Sequence, residues 1–220
     1  MSRGAPGKYN AVEGLKIVVL ATNNPGKVRE IRDILAGLPL CLKTPAELGI
    51  RASVRETGQT FEENAVLKAL TYAVMAGRPA IADDSGLEVP ALGGAPGVHS
   101  ARYAGEDATD RERIEKLLRE RAETPAADRR AVFRCVAALA APDGRVWTRT
   151  GELWGEVAPE PRGEGGFGYD PVFLVPELGR TLAELSPEEK NSLSHRGRAF
   201  RALAALMAEL LGRGELEDDC

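Results

Sequence analysis

The sequence predicts an α/β fold: a mixed, twisted sheet with flanking helices, in two lobes around a central cleft. Three observations carry that expectation. Strand-like and helix-like segments alternate through the first ninety or so residues, which is the layout of parallel strands with crossover helices. Two long strand-like runs, residues 131–141 and 145–157, then meet at Pro142-Asp143-Gly144, and Asp-Gly is a strong hairpin signal. An Ala- and Leu-rich segment, residues 194–211, supplies a last helix.

The elements follow in order. KIVVL (residues 16–20) is an apolar run short enough for a buried strand. Val28, Ile31, Ile34, Leu35 and Leu38 recur at helical spacing, and Gly37 and Pro39 stop that helix. A short strand is expected at residues 40–43, then a polar loop to Gln59. Thr60 and Glu63 fit a capping box opening a helix with Val66, Ala69, Leu70, Ala73 and Val74 on one face. Gly77 closes it and Pro79 follows. Residues 80–82 begin a strand that ends in Asp83-Asp84-Ser85-Gly86, ahead of the loop LGGAPGVHSARYAG. Residues 110–121 form a charged amphipathic helix with Ile114, Leu117 and Leu118 inward. GEGGFGYDP is a glycine-rich loop and VFLVP a strand. Ser186-Pro187-Glu188-Glu189 is a second capping box with proline at the first helical position.

Residues 16–211 are read as one two-lobed domain, residues 1–15 as a flexible extension without the apolar core of a signal peptide, and residues 212–220 as a fraying acidic tail. The composition, 43% hydrophobic and 28% charged, is that of a globular chain. A net charge of -4 argues against a broad nucleic-acid surface, so a small anionic substrate would need local basic groups and a metal ion. No apolar run approaches the roughly 18 residues that span a bilayer. Three scattered cysteines, without metal-finger spacing, read as reduced thiols of a cytoplasmic protein.

Five polar segments carry the chemistry. In IADDSG, neighbouring side chains on a strand point to opposite faces, so one of Asp83 and Asp84 can face a cleft. Such carboxylates suit Mg²⁺ or can deprotonate a water. The segment ATNNPGK has the strand–loop–helix layout of a phosphate cradle without the P-loop pattern. Thr22, Asn23, the backbone amides of the helix start and Lys27 are its phosphate donors; alternatively, an Asn merely caps the helix. In GGFGYD, Phe167 can stack on a base and Asp170 can accept from a base N–H. Lys190, His195 and Arg196 gather in EEKNSLSHRG as donors. Glu56 and Glu63 are further metal candidates, Glu63 already being explained as a cap. His99 and Arg102 can shape a lid over the cleft or merely a surface.

Taken together these segments resemble the inosine/xanthosine triphosphate pyrophosphatases, the non-canonical purine nucleoside triphosphate pyrophosphatase family. VVLATNNPGKVREI, ETGQTFEENAVLKA, IADDSGLEVPALGGAPGVHSARYAGEDATD, GGFGYDPVF and AELSPEEKNSLSHRGRA carry the likeness over nearly the whole chain. The resemblance implies the two-lobed α/β fold, a homodimer, and Mg²⁺-dependent hydrolysis of ITP, dITP and XTP to the monophosphate and pyrophosphate. It implies Asp84 as catalytic acid/base and metal ligand. It also implies a substrate site of Thr22, Asn23, Asn24, Pro25, Gly26, Lys27, Ser85, Phe167, Gly168, Tyr169, Asp170, Lys190, His195 and Arg196. Arg55 stands where some members carry a metal-serving glutamate, which makes Glu56 the candidate second ligand. Donors from His195 and Arg196 would favour a 6-oxo purine over adenine, because a buried unpaired donor costs roughly 1–3 kcal/mol. Rival readings are a pyrophosphatase for other damaged nucleotides and a non-catalytic nucleotide sensor.

Overall fold

The computed structural model describes residues 16–124 and 128–216; the expected N-terminal extension and residues 217–220 of the expected acidic tail lie outside the described residues. The elements are β1 (Lys16–Leu20), α1 (Pro25–Leu35), β2 (Leu40–Lys43), α2 (Phe61–Ala76), β3 (Ala80–Glu88), α3 (Asp110–Ala122), β4 (Arg130–Ala140), β5 (Val146–Val157), β6 (Phe173–Val175), β7 (Arg180–Thr181), α4 (Pro187–Leu193) and α5 (His195–Gly212). Seven strands form one mixed sheet in the order β2-β1-β3-β4-β5-β6-β7. β1 runs parallel to both β2 and β3, and the remaining pairs are antiparallel.

Alternation along β1 sends its side chains to two cores. Val18 and Leu20 pack with Ile31 and Leu35 of α1 and with Phe200, Leu203 and Met207 of α5. Val19 and Ala21 pack on the other face with Phe61, Ala65, Ala69 and Tyr72 of α2. Each large apolar side chain so buried contributes roughly 1.5–3 kcal/mol. A third cluster, around Leu87, Phe133, Leu153, Phe173 and Leu182, fills the far half of the sheet.

β1 is where the strand order reverses, since β2 lies on one side of it and β3 on the other. In α/β sheets the crevice at the carboxyl end of such a strand is the usual ligand site. Here β1 pairs with β3 only through Val19↔Ala80 and Leu20↔Ile81. Beyond Leu20 the edge of β3 stands open, and the loop to α1 leaves at that point.

The structure corrects several expectations. β3 does not stop at the carboxylates: it continues to Glu88, because β4 pairs with it along its full length, Asp83 opposite Ala137 and Asp84 opposite Val136. The buried face of α2 is rotated from the expected one. Val74 is 66% exposed, while Asn64 and Lys68 are buried. At the start of that helix Thr60 caps the Glu63 amide as expected, but Glu63 returns its bond to Gln59 N, one residue early. The box at Ser186 forms in full, and another at Thr109 opens α3. Residues 214–216 do not fray: Leu216 is buried in the α1–α5 core, and Arg145 donates to the carbonyl of Glu215. The 3₁₀ segment Gly97–Arg102 is tied down, Ser100 Oγ accepting from Leu87 N and donating to Gly97 O, so it is a wall of the cavity. His99 and Arg102, expected to shape a lid, hold each other at 3.2 Å.

Candidate active site

At the open edge of β3 lies a cavity of about 530 Å³, and the substrate and metal residues implied by the resemblance line it, from Thr22 and Lys27 through Glu56, Asp84 and Ser85 to Phe167, Lys190, His195 and Arg196, whereas the other metal candidate, Glu63, does not. Lys68, which sequence reasoning missed, lines it too.

Asp84 sits on the α2 face of β3 with Lys68 and Asn64. Asn64 Nδ2 donates to its Oδ2 at 3.0 Å, and Lys68 Nζ lies 3.6 Å from Oδ1 and 2.6 Å from Glu56 Oε1. The Asn64 amide is oriented by Gly58 N–H, which donates to its oxygen at 2.8 Å; a Cβ on Gly58 would come within 2.7 Å of that oxygen. Asn64 and Lys68 recur at i and i+4 inside the apolar stripe Phe61, Ala65, Ala69, Tyr72. That interruption is the sequence signal that could have found them. Burial raises the Asp84 pKa, and Lys68 and Lys27 oppose the rise without cancelling it. Burial works against the Lys68 ammonium as well, but Asp84, Asp83 and Glu56 outweigh it and hold its pKa up.

Asp83 points to the opposite face and does not line the cavity. Its Oδ2 receives Lys27 Nζ at 3.0 Å, Arg196 Nη2 at 3.2 Å and Ser85 Oγ at 3.0 Å. Burial would raise its pKa, but Lys27 and Arg196 drive it far below the carboxylate range. Glu30, also unforeseen, bridges Lys190 and Arg196 at 2.6 Å each. Lys190 in turn holds the buried Asp170.

The loop after β1 behaves partly as the plain cap that was the alternative. Asn24 Oδ1 accepts from Gly26 N at 2.9 Å and Lys27 N at 3.1 Å, and Thr22 Oγ1 accepts from Asn24 N. Two of the amides expected to face phosphate are therefore committed to Asn24. Asn23 and Thr22 line the cavity at this end together with Lys27, whose ammonium is paired with Asp83.

The Phe167 ring packs against this same loop at Gly26, where a Cβ would sit 2.5 Å from it, with Lys190 Nζ 4.8 Å and Arg196 5.4 Å from its centroid. Asp170, expected to accept from a base, spends Oδ2 on Phe167 N and Lys190, and a Cβ on Gly166 would meet the same oxygen. Tyr169 donates to the Ser100 carbonyl. Arg196 is engaged by Glu30, Asp83 and Ser85. His195 differs. Its ring stacks on Phe133 at 4.5 Å, and its buried Nδ1 has no partner among the described residues. Burial, with Arg196 and Lys190 nearby, pushes its pKa well below the usual value, so the imidazole is neutral.

This arrangement has relatives. The model of the Ham1 family matches residues 18–206. A dITP/XTP pyrophosphatase of Geobacter sulfurreducens is 52% identical over 195 residues, covering 89% of this chain and 96% of its own. One from Thermus thermophilus is 54% identical over 192 residues, covering 87% and 91%. The solved structure of a HAM1 protein from Coxiella burnetii, 45% identical, superposes with a TM-score of 0.81 over 89% of this chain and 99% of that one.

Proposed function

Because this chain belongs to the Ham1 family, we propose that the cavity is where it hydrolyses non-canonical purine nucleoside triphosphates (ITP, dITP and XTP) to the monophosphate and pyrophosphate, removing deaminated purines from the nucleotide pool. The observation that carries the reading is the setting of Asp84. Its carboxylate lies in the cavity at the open edge of β3, between the Lys68–Glu56 pair and the loop bearing Lys27.

Asp84 is suited to take a proton from the attacking water, because burial makes it a stronger base than a solvated aspartate. Asn64 fixes its orientation from one side and Lys68 from the other. Lys27 and Lys68 place positive charge where the triphosphate and the leaving pyrophosphate concentrate negative charge. The start of α1 adds the positive end of its dipole.

The residues fit Mg²⁺. Among the described residues no group of three or more His, Cys, Asp or Glu side chains is placed to hold a metal. Mg²⁺ needs no such group, since it is commonly held by one or two carboxylates with waters and phosphate oxygens. Glu56 and Asp84 already bracket one positive charge, the Lys68 ammonium, at 2.6 and 3.6 Å. Bound by those two carboxylates and by phosphate oxygens, the ion would offset triphosphate charge and polarise the phosphorus under attack.

At the base end, His195 Nδ1 has no hydrogen-bond partner among the described residues. A neutral imidazole carrying its proton there donates to the 6-oxo group of hypoxanthine or xanthine, and on adenine it faces the 6-amino donor instead. The deciding experiment is pyrophosphate release with Mg²⁺ from ITP, XTP, GTP and ATP in parallel. Rapid release from ITP and XTP with little from ATP and GTP is expected. Binding of all four without release would instead mark a sensor, and equal rates would discard the role of the base edge. We also propose a cytoplasmic homodimer, as the resemblance implies; sedimentation should then give twice the 23.5 kDa chain mass.

A further inference from the structure

We propose that Asp83 is a positioning residue that makes the phosphate end of the cavity respond to the base, by tying Lys27 and Arg196 to one carboxylate oxygen. The proposal rests on the site assignment given above.

Asp83 does not line the cavity and its side chain is fully buried, so it touches no substrate. What it touches are two cations that line the cavity, one from the phosphate loop and one from the start of α5, with Ser85 and the Cys135 thiol beside them. Lys27 Nζ is 3.0 Å from Oδ2, and Arg196 Nε and Nη2 reach the same atom at 3.3 and 3.2 Å. Ser85 Oγ also donates to Oδ2 and accepts from Arg196 Nη2 at 2.8 Å. The other oxygen, Oδ1, is buried with no hydrogen-bond partner among the described residues. Two cations thus share one oxygen while its twin stands open.

The sharing extends into a row of alternating charge: Asp170, Lys190, Glu30, Arg196, Asp83, Lys27. Its first members border the Phe167 loop and its last borders the phosphate loop. The Arg196 and Asp83 side chains are at most 3% exposed, so little water stands between them to screen one link from the next. A 6-oxo purine that draws an N–H of Arg196 toward itself loosens that guanidinium from Oδ2, and Asp83 then holds Lys27 undivided. A purine that leaves Arg196 in place leaves Lys27 sharing the oxygen. Base identity is thereby read in the placement of Lys27, which acts on the rate, and not only in affinity. An Asp83 that merely neutralised two buried cations would stabilise the fold and leave base discrimination unchanged.

The test uses a ligand that has the base and no phosphate. Wild-type protein labelled with ¹⁵N-lysine is titrated with inosine, and the Lys27 Nζ resonance, assigned through Lys27→Arg, is followed while calorimetry reports binding. The resonance is expected to move at saturation and to stay still in Asp83→Asn, although inosine still binds. In steady-state kinetics Asp83→Asn should lower kcat for ITP by on the order of 10-fold or more through misplacement of Lys27. KM should change little, and the ITP-to-ATP ratio of kcat should fall toward one. A Lys27 resonance unmoved by saturating inosine in the wild type overturns the coupling, and does so even if Asp83→Asn fails to fold. So does an unchanged kcat ratio in a folded Asp83→Asn. Absence of both inosine binding and ITP turnover removes the site assignment itself, and the coupling falls with it.

Discussion

Asp83 and Asp84 are chemically identical neighbours that the sheet separates into opposite environments. Strand alternation puts Asp84 toward α2, where burial outweighs Lys68 and raises its pKa, and Asp83 toward α1 and α5, where two cations lower it. For a carboxyl whose folded pKa is raised, the stabilising contribution is present below the unfolded pKa and is lost as the pH rises through the folded one. Ionised Asp84 therefore costs stability at pH 7, and Asp84→Asn, uncharged throughout, escapes that cost. The variant should melt no lower than the wild type at pH 7, by calorimetry. Its turnover of ITP should fall by roughly 10²–10⁴-fold, the usual worth of a general base; near wild-type activity would remove the assigned role. His195 allows a second prediction at this scale. Burial and two neighbouring cations depress its pKa well below the ordinary 6.5. Its ¹⁵N shifts should accordingly stay at neutral-imidazole values as the pH falls from 8 through 6, and a midpoint near 6.5 would contradict the buried setting.

Among the elements, helix existence and capping were legible because their causes are local: Ser186 and Glu189 close a box in sequence as in space. The orientation of α2 was not. Val66, Leu70 and Val74 look like the inward face by apolarity alone, yet the helix turns Asn64 and Lys68 inward because Asp84, twenty residues away from Asn64, needs partners. Likewise β3 could not be seen to run past Asp83, since the strand that pairs with it begins near residue 130. Gly151 shows the same limit. In RVWTRTGELWGEV it reads as one more position of an alternating strand, but in the structure a Cβ there would lie 2.2 Å from the His195 carbonyl oxygen and 2.6 Å from Ala199 N. That contact seats the first turn of α5 on β5. Gly151→Ala must push the turn away, so it should lose about 1–3 kcal/mol or more of stability by urea unfolding. It should also weaken discrimination between ITP and ATP, since His195 and Arg196 ride on that turn. An alanine variant as stable and as selective as the wild type would mean that the seam is not rigid.

Over the whole molecule, the site residues were legible as types, and their roles were only partly so. The cavity gathers the segments predicted from sequence, yet Glu30, which holds two of them in charge balance, belongs to a helix whose pattern reads as ordinary amphipathic surface, and Lys68 is marked only by its interruption of the α2 stripe. The cavity also lies where the core divides. Thr22 and Lys27 follow from the β1–α1 side, and Tyr169 from the cluster around β6. A ligand that spans it bonds to both halves and cannot bind well when either is unfolded, so the whole gains stability by mass action. A non-hydrolysable ITP analogue with Mg²⁺ at 100 times its Kd should therefore add about 2.7 kcal/mol. For a chain of this size that corresponds to a rise in Tm of roughly 5–10 °C. The adenine analogue at the same concentration should give a smaller rise, because it satisfies the phosphate end and leaves the His195 donor unmatched. Equal shifts from the two would place selectivity in the rate alone, and no shift from either would remove the cavity as the nucleotide site.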